Sequence, residues 1–186
     1  MYRKYIKRIL DIILSIILIL LLWPVMLIVS LITLIDLGLP IHNEIREREG
    51  KGRKVFIMYK IRTKKLNSSN LPYRQRYTKI SWFIDGSRLN ELPQLFNVLK
   101  GDMSLVGPRP FIPNDVLPNA KPNSKRYLLK PGITGLAQVN GGRSLTHNQK
   151  LKYDDIYYDT LSFKTDLKIC LLTIFKVCRY EKKRTK

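Results

Sequence analysis

Leu89-Asn90-Glu91-Leu92-Pro93-Gln94-Leu95-Phe96-Asn97-Val98-Leu99-Lys100-Gly101-Asp102-Met103-Ser104-Leu105-Val106-Gly107-Pro108-Arg109-Pro110 is the stretch from which the rest of this chain can be read. Leu89, Leu92, Leu95, Phe96 and Leu99 recur at three- and four-residue spacing, which predicts one helix ended by Gly101, with Pro93 accommodated in its first turn. Asn90 and Glu91 place an amide and a carboxylate at the start of that helix. Past its end, Pro108 and Pro110 stiffen the backbone on either side of Arg109. A carboxylate near a guanidinium fork, whose planar donors match phosphate oxygens, reads as a site for an anionic substrate.

Working toward the N-terminus, no charged residue occurs from Ile12 through Ile35. A helix of that length rises roughly 36 Å, enough to cross a hydrocarbon core of about 30 Å. The run is too long for the apolar part of a cleavable signal and lacks a small-residue cleavage site, so it is expected to be retained. Lys and Arg mark cytoplasmic flanks, and here both flanks are basic: Arg3, Lys4, Lys7 and Arg8 precede the run, while Arg46, Arg48, Lys51, Arg53 and Lys54 follow it. Pro24, in the middle, removes a backbone hydrogen bond and bends the helix, so the expectation is a re-entrant segment over residues 1–38 that dips in and returns. A straight span is the alternative, because proline is tolerated in spanning helices.

The remainder, residues 39–186, is long enough for one ordinary core. Lys54 to Thr63 is rich in branched and aromatic side chains and predicts a strand, with Gly50 and Gly52 supplying the turn before it. Lys65 to Tyr77 has the composition of a mobile loop. Pro113, Pro118, Pro122 and Pro131 favour stiff irregular chain, and Pro131 to Gly142 reads as turn, short strand, turn. Leu167, Cys170, Leu171, Ile174, Phe175 and Cys178 form one helical stripe opposed by Lys168, Lys176 and Arg179; such a helix suits either an anionic membrane surface or a core. The fold class is therefore α/β: a small, irregular, membrane-associated domain with an N-terminal Pro-kinked helix and surface amphipathic helices.

A net charge of +20, from 34 Lys+Arg against 14 Asp+Glu, calls for anionic partners. Nucleic acid is not expected, since there is no aromatic RNA-binding strand motif and no zinc-ligand cluster. Gly50-Lys51-Gly52 is too short for a P-loop or a dinucleotide fingerprint. His42 and His147 are isolated and read as ordinary polar residues, and Cys170 and Cys178 stand too far apart on a helix to bridge.

In order along the chain stand Lys7-Arg8-x-x-Asp11, Arg48-x-Gly50, Tyr59-Lys60-Ile61-Arg62-Thr63, Glu91 to Val98, Lys100 to Pro110, Pro131-Gly132-Ile133-Thr134-Gly135, Gln138-Val139-Asn140-Gly141 and Asp166-Leu167-Lys168. This series closely resembles the bacterial sugar transferases, small monotopic phosphoglycosyl transferases, over nearly the whole chain. The resemblance implies an enzyme on the cytoplasmic face of the bacterial inner membrane. It would take a nucleotide sugar, usually on UDP, and load the sugar 1-phosphate onto undecaprenyl phosphate with Mg²⁺ assistance. It also implies an Asp-Glu pair at positions 90 and 91, Glu91 as Mg²⁺ ligand or handler of the acceptor proton, and Lys60, Arg62, Arg109 and Arg143 as phosphate partners. Oligomeric state, sugar and base are left open.

The sequence departs from that pattern at its chemistry. Asn90 stands where the family carries the nucleophilic aspartate, and an amide is a very poor nucleophile toward phosphorus. Asp85 stands where an arginine is common, Lys64 and Lys130 replace a methionine and an arginine, and the Gly141-Gly142 pair displaces the following Arg143. Two functions follow: family-type transfer in some form, or a non-catalytic homologue that scaffolds or regulates such a pathway.

Overall fold

The computed structural model describes residues 1–42, 47–113 and 124–184. The side chains of Arg143 and of residues 177–184, Cys178 and part of the basic tail among them, fall outside what is described, as does most of the Pro-rich stretch. Ten elements follow in order: α1 (Lys7–Leu37), β1 (Glu47–Glu49), β2 (Val55–Ile57), α2 (Lys79–Ser87), α3 (Gln94–Lys100), β3 (Ser104–Val106), β4 (Gly132–Thr134), α4 (Leu136–Val139), α5 (His147–Thr160) and α6 (Phe163–Arg184). β1 and β2 form an antiparallel hairpin, and β3 pairs with β4 in parallel.

α1 runs unbroken for 31 residues through Pro24, about 46 Å. Its buried residues, Asp11, Ser15, Met26, Val29 and Thr33, fall within an arc of about 60° on the helical wheel. None lies between Ser15 and Met26, where Leu20, Leu21 and Trp23 are exposed. The helix therefore touches the body at both ends and stands free in the middle.

At the N-terminal end, Arg8 donates to the carbonyls of Val98 (2.6 Å) and Leu99 (2.8 Å), neutralising the negative end of α3. Asp11 accepts from the backbone N–H of Leu105 at 3.0 Å, and Lys7 pairs with Asp166 at 2.6 Å. At the C-terminal end, Asp36 accepts from Thr78 at 2.6 Å, while Val29 packs with Ile61 and Ile84. α1 continues as helix through Pro24, since one missing backbone bond can bend a long helix without ending it. Both flanks share one body because both are docked to it.

The single helix expected from Leu89 is split at Pro93. Leu89–Glu91 is a tight 3-10 turn, and α3 begins at Gln94 because Pro93 offers no N–H to continue the ladder. Gly101 ends α3 as expected, at φ 97°, donating to Asn97 and Val98. Only Val55–Ile57 of the expected strand pairs as one. Beyond it Asn97, wholly buried, takes over: its Oδ1 accepts from the N–H of Tyr59 (2.8 Å) and its Nδ2 donates to the carbonyl of Ile57 (2.7 Å).

The two Gly-rich motifs turn out to be one feature. Gly107 N–H donates to the carbonyl of Thr134 and Gly132 N–H to that of Pro108, which brings the backbones into contact after β3. A Cβ on Gly132 would lie 2.0 Å from the Gly107 nitrogen, and one on Gly135 would lie 2.1 Å from the Gly107 carbonyl oxygen. The glycines are thus the condition for seating the Arg109 loop on β4. After β4 the chain forms the short α4 where a second turn was expected.

α5 carries a weak apolar period, but both it and α2 have strong starts. Each opens on a capping box, Thr146 with Gln149 and Thr78 with Ser81. Local contacts tie the 65–77 segment together: Arg76 donates to the carbonyls of Ser69 and Leu71, and Tyr73, Tyr77 and Trp82 meet edge to face. The main core gathers Val106, Leu129, Val139, Tyr157 and Ile169, with Cys170 packed against it as a free thiol.

Candidate active site

The 3-10 turn points Glu91 into the body, where it is 6% exposed and surrounded by cations. Its Oε1 lies 3.0 Å from Lys60 Nζ and 3.3 Å from both Arg88 Nη1 and Arg109 Nη2. Burial alone would push this carboxyl up. Lys60, Arg109 and Arg88 together outweigh it and hold the group well below the usual carboxylate range. As placed, Glu91 is an ionised carboxylate that holds three cations together.

Those cations face two different spaces. Arg88 and Arg109 line a cleft of about 350 Å³ together with Arg48, Gln138 and Lys150. Lys60 lines a second, mostly apolar groove of about 590 Å³ with Tyr59, Ile61, Pro93, Phe96 and Lys100. Glu91 thus stands between a polycationic cleft and an apolar groove.

Arg109 owes its position to a residue that its sequence context did not flag. Arg126, in the short turn Lys125–Leu128, donates through Nη2 to the Arg109 carbonyl and through Nη1 to Asp154 at 2.9 Å. Its guanidinium lies 3.4 Å from the centre of the Phe111 ring. The pair is buried, and burial pushes the Asp154 carboxyl up to about 7 against the pull of Arg126. Across the cleft, burial and the neighbouring charge of Arg109 both lower the Arg48 guanidinium from its ordinary value. The cleft therefore holds more positive charge than its own acids relieve.

Asn90 is fully buried. Its Nδ2 donates to Asp85 Oδ1 at 3.4 Å, the same oxygen that Thr63 Oγ1 approaches at 3.4 Å, and its own Oδ1 is buried without a hydrogen-bond partner. The buried carboxylate beside position 90 is thus Asp85 on α2, where the resemblance has an arginine.

Of the expected phosphate partners, Lys60 and Arg109 gather at Glu91. Arg62 does not. It is 3% exposed and its guanidinium is engaged by backbone, donating to the carbonyls of Leu37 (2.8 Å), Gly38 (2.7 Å), Pro40 (2.7 Å) and Lys64 (3.1 Å). It caps the C-terminal end of α1, where free carbonyls attract a cation. The Arg143 side chain lies outside the described residues. Arg88, Arg126 and Lys150 join the site unforeseen. Arg88 alone carried a usable signal, three residues before Glu91 and so on the same side of a tight turn.

Glu91 was also expected to hold Mg²⁺. Among the described residues no three His, Cys, Asp or Glu side chains are arranged around a common point, and Glu91 Oε1 already faces three cations. No all-protein cage is therefore preformed there; Mg²⁺ held by one carboxylate and substrate phosphates would need none.

A polycationic cleft and an apolar groove meet at one carboxylate, in a chain whose N-terminal helix is long and apolar enough to cross a membrane. A family model described as bacterial sugar transferase matches residues 2–180, and the chain belongs to that family. It is 44% identical over 135 residues to an uncharacterized sugar transferase EpsL of Bacillus subtilis, covering 70% of this chain and 66% of that one. It is 34% identical over 198 residues to an undecaprenyl-phosphate galactose phosphotransferase of Salmonella typhimurium, covering 95% of this chain and 41% of that one. To a UDP-glucose:undecaprenyl-phosphate glucose-1-phosphate transferase of Klebsiella pneumoniae it is 36% identical over 188 residues, covering 91% of this chain and 39% of the other. The chain thus spans only about two-fifths of the length of the last two relatives.

Proposed function

We propose that this chain transfers a sugar 1-phosphate from a UDP-sugar to undecaprenyl phosphate at the cytoplasmic face of a bacterial inner membrane, as the first membrane step of a surface glycan. The observation that carries this reading is the place of Glu91 between two cavities of opposite character. A diphosphate suits the cleft, where the positive charges of Arg48 and Arg109 lie close enough to act on each other. An isoprenoid phosphate suits the groove, whose apolar walls carry Lys60 and Lys100. The printed activities of the Salmonella and Klebsiella relatives support the same pairing of substrates.

In this reading an acceptor phosphate oxygen attacks the phosphorus that bears the sugar. The bond from that phosphorus to the bridging oxygen breaks, and the nucleoside monophosphate leaves with that oxygen. Glu91 holds Lys60, Arg88 and Arg109 in place beforehand, so little reorganisation is needed when phosphates arrive. Asn90 forms no covalent intermediate, which favours one-step transfer. The docking of both ends of α1 supports a helix immersed by its middle with both ends on one side. Exposed Phe163, Leu167, Leu171 and Ile174 on α6, with Ile80 and Phe83 on α2, suit the lipid surface, and the charge of +20 favours anionic headgroups.

The buried amide of Asn90 favours a second reading, a homologue that binds these substrates without turnover. Release of UMP from a panel of UDP-sugars, with undecaprenyl phosphate and detergent-extracted protein, separates the two. Transfer predicts UMP release by wild type that Glu91→Gln lowers by a factor of about 100 or more. A silent wild type that still binds UDP-sugar favours the second reading.

A further inference from the structure

We infer that Gln138 reads the base of the donor nucleotide, and that the edge it is built for is the imide of uracil. The inference rests on the reading of the cleft as a donor site and adds which side chain sets its base preference. Gln138 lies on α4 in the wall of the cleft. Both polar atoms of its amide, Oε1 and Nε2, are buried, and neither has a hydrogen-bond partner. Native proteins rarely leave a buried amide unpaired at both ends, because each atom gives up its water for nothing. An amide orphaned twice beside a ligand cleft gives up no hydrogen bond on turning into the cleft, where a ligand can supply both partners.

The position is confined. A Cβ on Gly135 would come within 2.8 Å of Gln138 Oε1, so the amide lies against bare backbone at the Gly107–Gly135 contact, and a larger residue at 135 would displace it. The amide thus sits just behind the loop that carries Arg109. A nucleotide whose phosphates engage Arg109 would have its base within the same cleft.

A carboxamide offers one donor and one acceptor side by side, and the N3–H of uracil beside its O4 offers the complement. Cytosine and adenine can also pair with an amide, through an exocyclic amine. The surroundings choose between them. Arg48, Arg88 and Lys150, which share this cleft, are donors only. They favour a base with two carbonyl acceptors and a single N–H over one that turns an amine toward cations.

The test measures binding of UDP, N3-methyl-UDP, GDP and inorganic pyrophosphate to the full chain in detergent, for wild type, Gln138→Leu and Gln138→Glu. Wild type should bind UDP about 10- to 100-fold more tightly than N3-methyl-UDP, the value of one bidentate amide–base pair. Gln138→Leu should lose that preference while keeping its pyrophosphate affinity within about twofold. Equal binding of UDP and N3-methyl-UDP by wild type overturns the inference, and this comparison needs no folded variant. So does a Gln138→Leu protein that loses pyrophosphate as severely as UDP. Tighter binding of GDP than of UDP overturns the choice of base while leaving the donor site standing. A wild type that binds pyrophosphate but no nucleotide overturns the donor reading along with it.

Discussion

Replacing Asn90 by aspartate sets a second carboxylate against Asp85, because the present amide nitrogen lies 3.4 Å from Asp85 Oδ1 in a fully buried position. Two such charges about 4 Å apart repel by about 4 kcal/mol at an effective dielectric constant of about 20. That corresponds to about 3 pK units on the second ionisation of the pair. The sign then follows. In the unfolded chain both groups ionise near pH 4, whereas the folded pair keeps one proton up to about pH 7. Between these values the folded state binds more protons, so stability falls as pH rises, and the full cost is present above pH 7.

For a chain of this size about 4 kcal/mol lowers the melting temperature by roughly 10 °C. Melting of Asn90→Asp in detergent should show that loss at pH 8 and little of it at pH 4.5, and Asp85→Asn in the same chain should restore it. Any UMP release gained by restoring the aspartate should therefore appear in the double variant and not in the single one. A single variant that melts like wild type at pH 8, or a double variant as unstable as the single, would refute the buried contact between Asp85 and position 90.

Removing Asp154 strands the buried Arg126 guanidinium, so Asp154→Ala should cost about 3–5 kcal/mol by denaturation and loosen the Arg109 loop. The Glu91 carboxyl is held below its unfolded value, so its contribution is present above about pH 4.3 and is lost as pH falls through the folded value. Glu91→Gln should flatten the acid limb of a melting profile between pH 5 and 2. Arg62→Lys trades a fork on four carbonyls for one ammonium, and faster limited proteolysis at 38–42 should report it, with pyrophosphate binding unchanged. Mg²⁺ titrated into nucleotide-free protein should show no site; a stoichiometric site abolished by Glu91→Gln would return the metal to that residue.

Local rules made several features legible in advance. Gly101 as a helix stop, the apolar helix and the stripe on α6 each rest on a period or a backbone preference within a few residues. The Pro-Gly motifs were visible as turns, but their meaning as interlocking backbones required knowing that β3 and β4 are neighbours, which is a contact between residues nearly thirty apart. Arg62 shows the limit most clearly. In sequence it is a cation on a strand beside Lys60, and the two look alike. In the fold one faces Glu91 and the other caps α1, a difference set by where the end of a helix more than twenty residues earlier comes to rest. α5 was missed because its start is written in a cap and its interior carries little apolar period.

The free middle of α1 bears on how the protein is made. Arg8 is held by carbonyls 90 and 91 residues downstream, and Lys7 by an aspartate 159 residues downstream. The apolar helix leaves the ribosome long before the groups that fix its ends exist. If it enters lipid it can do so first, and the body then folds up against it. The posture of its N-terminal end is decided late, by α3 and α6.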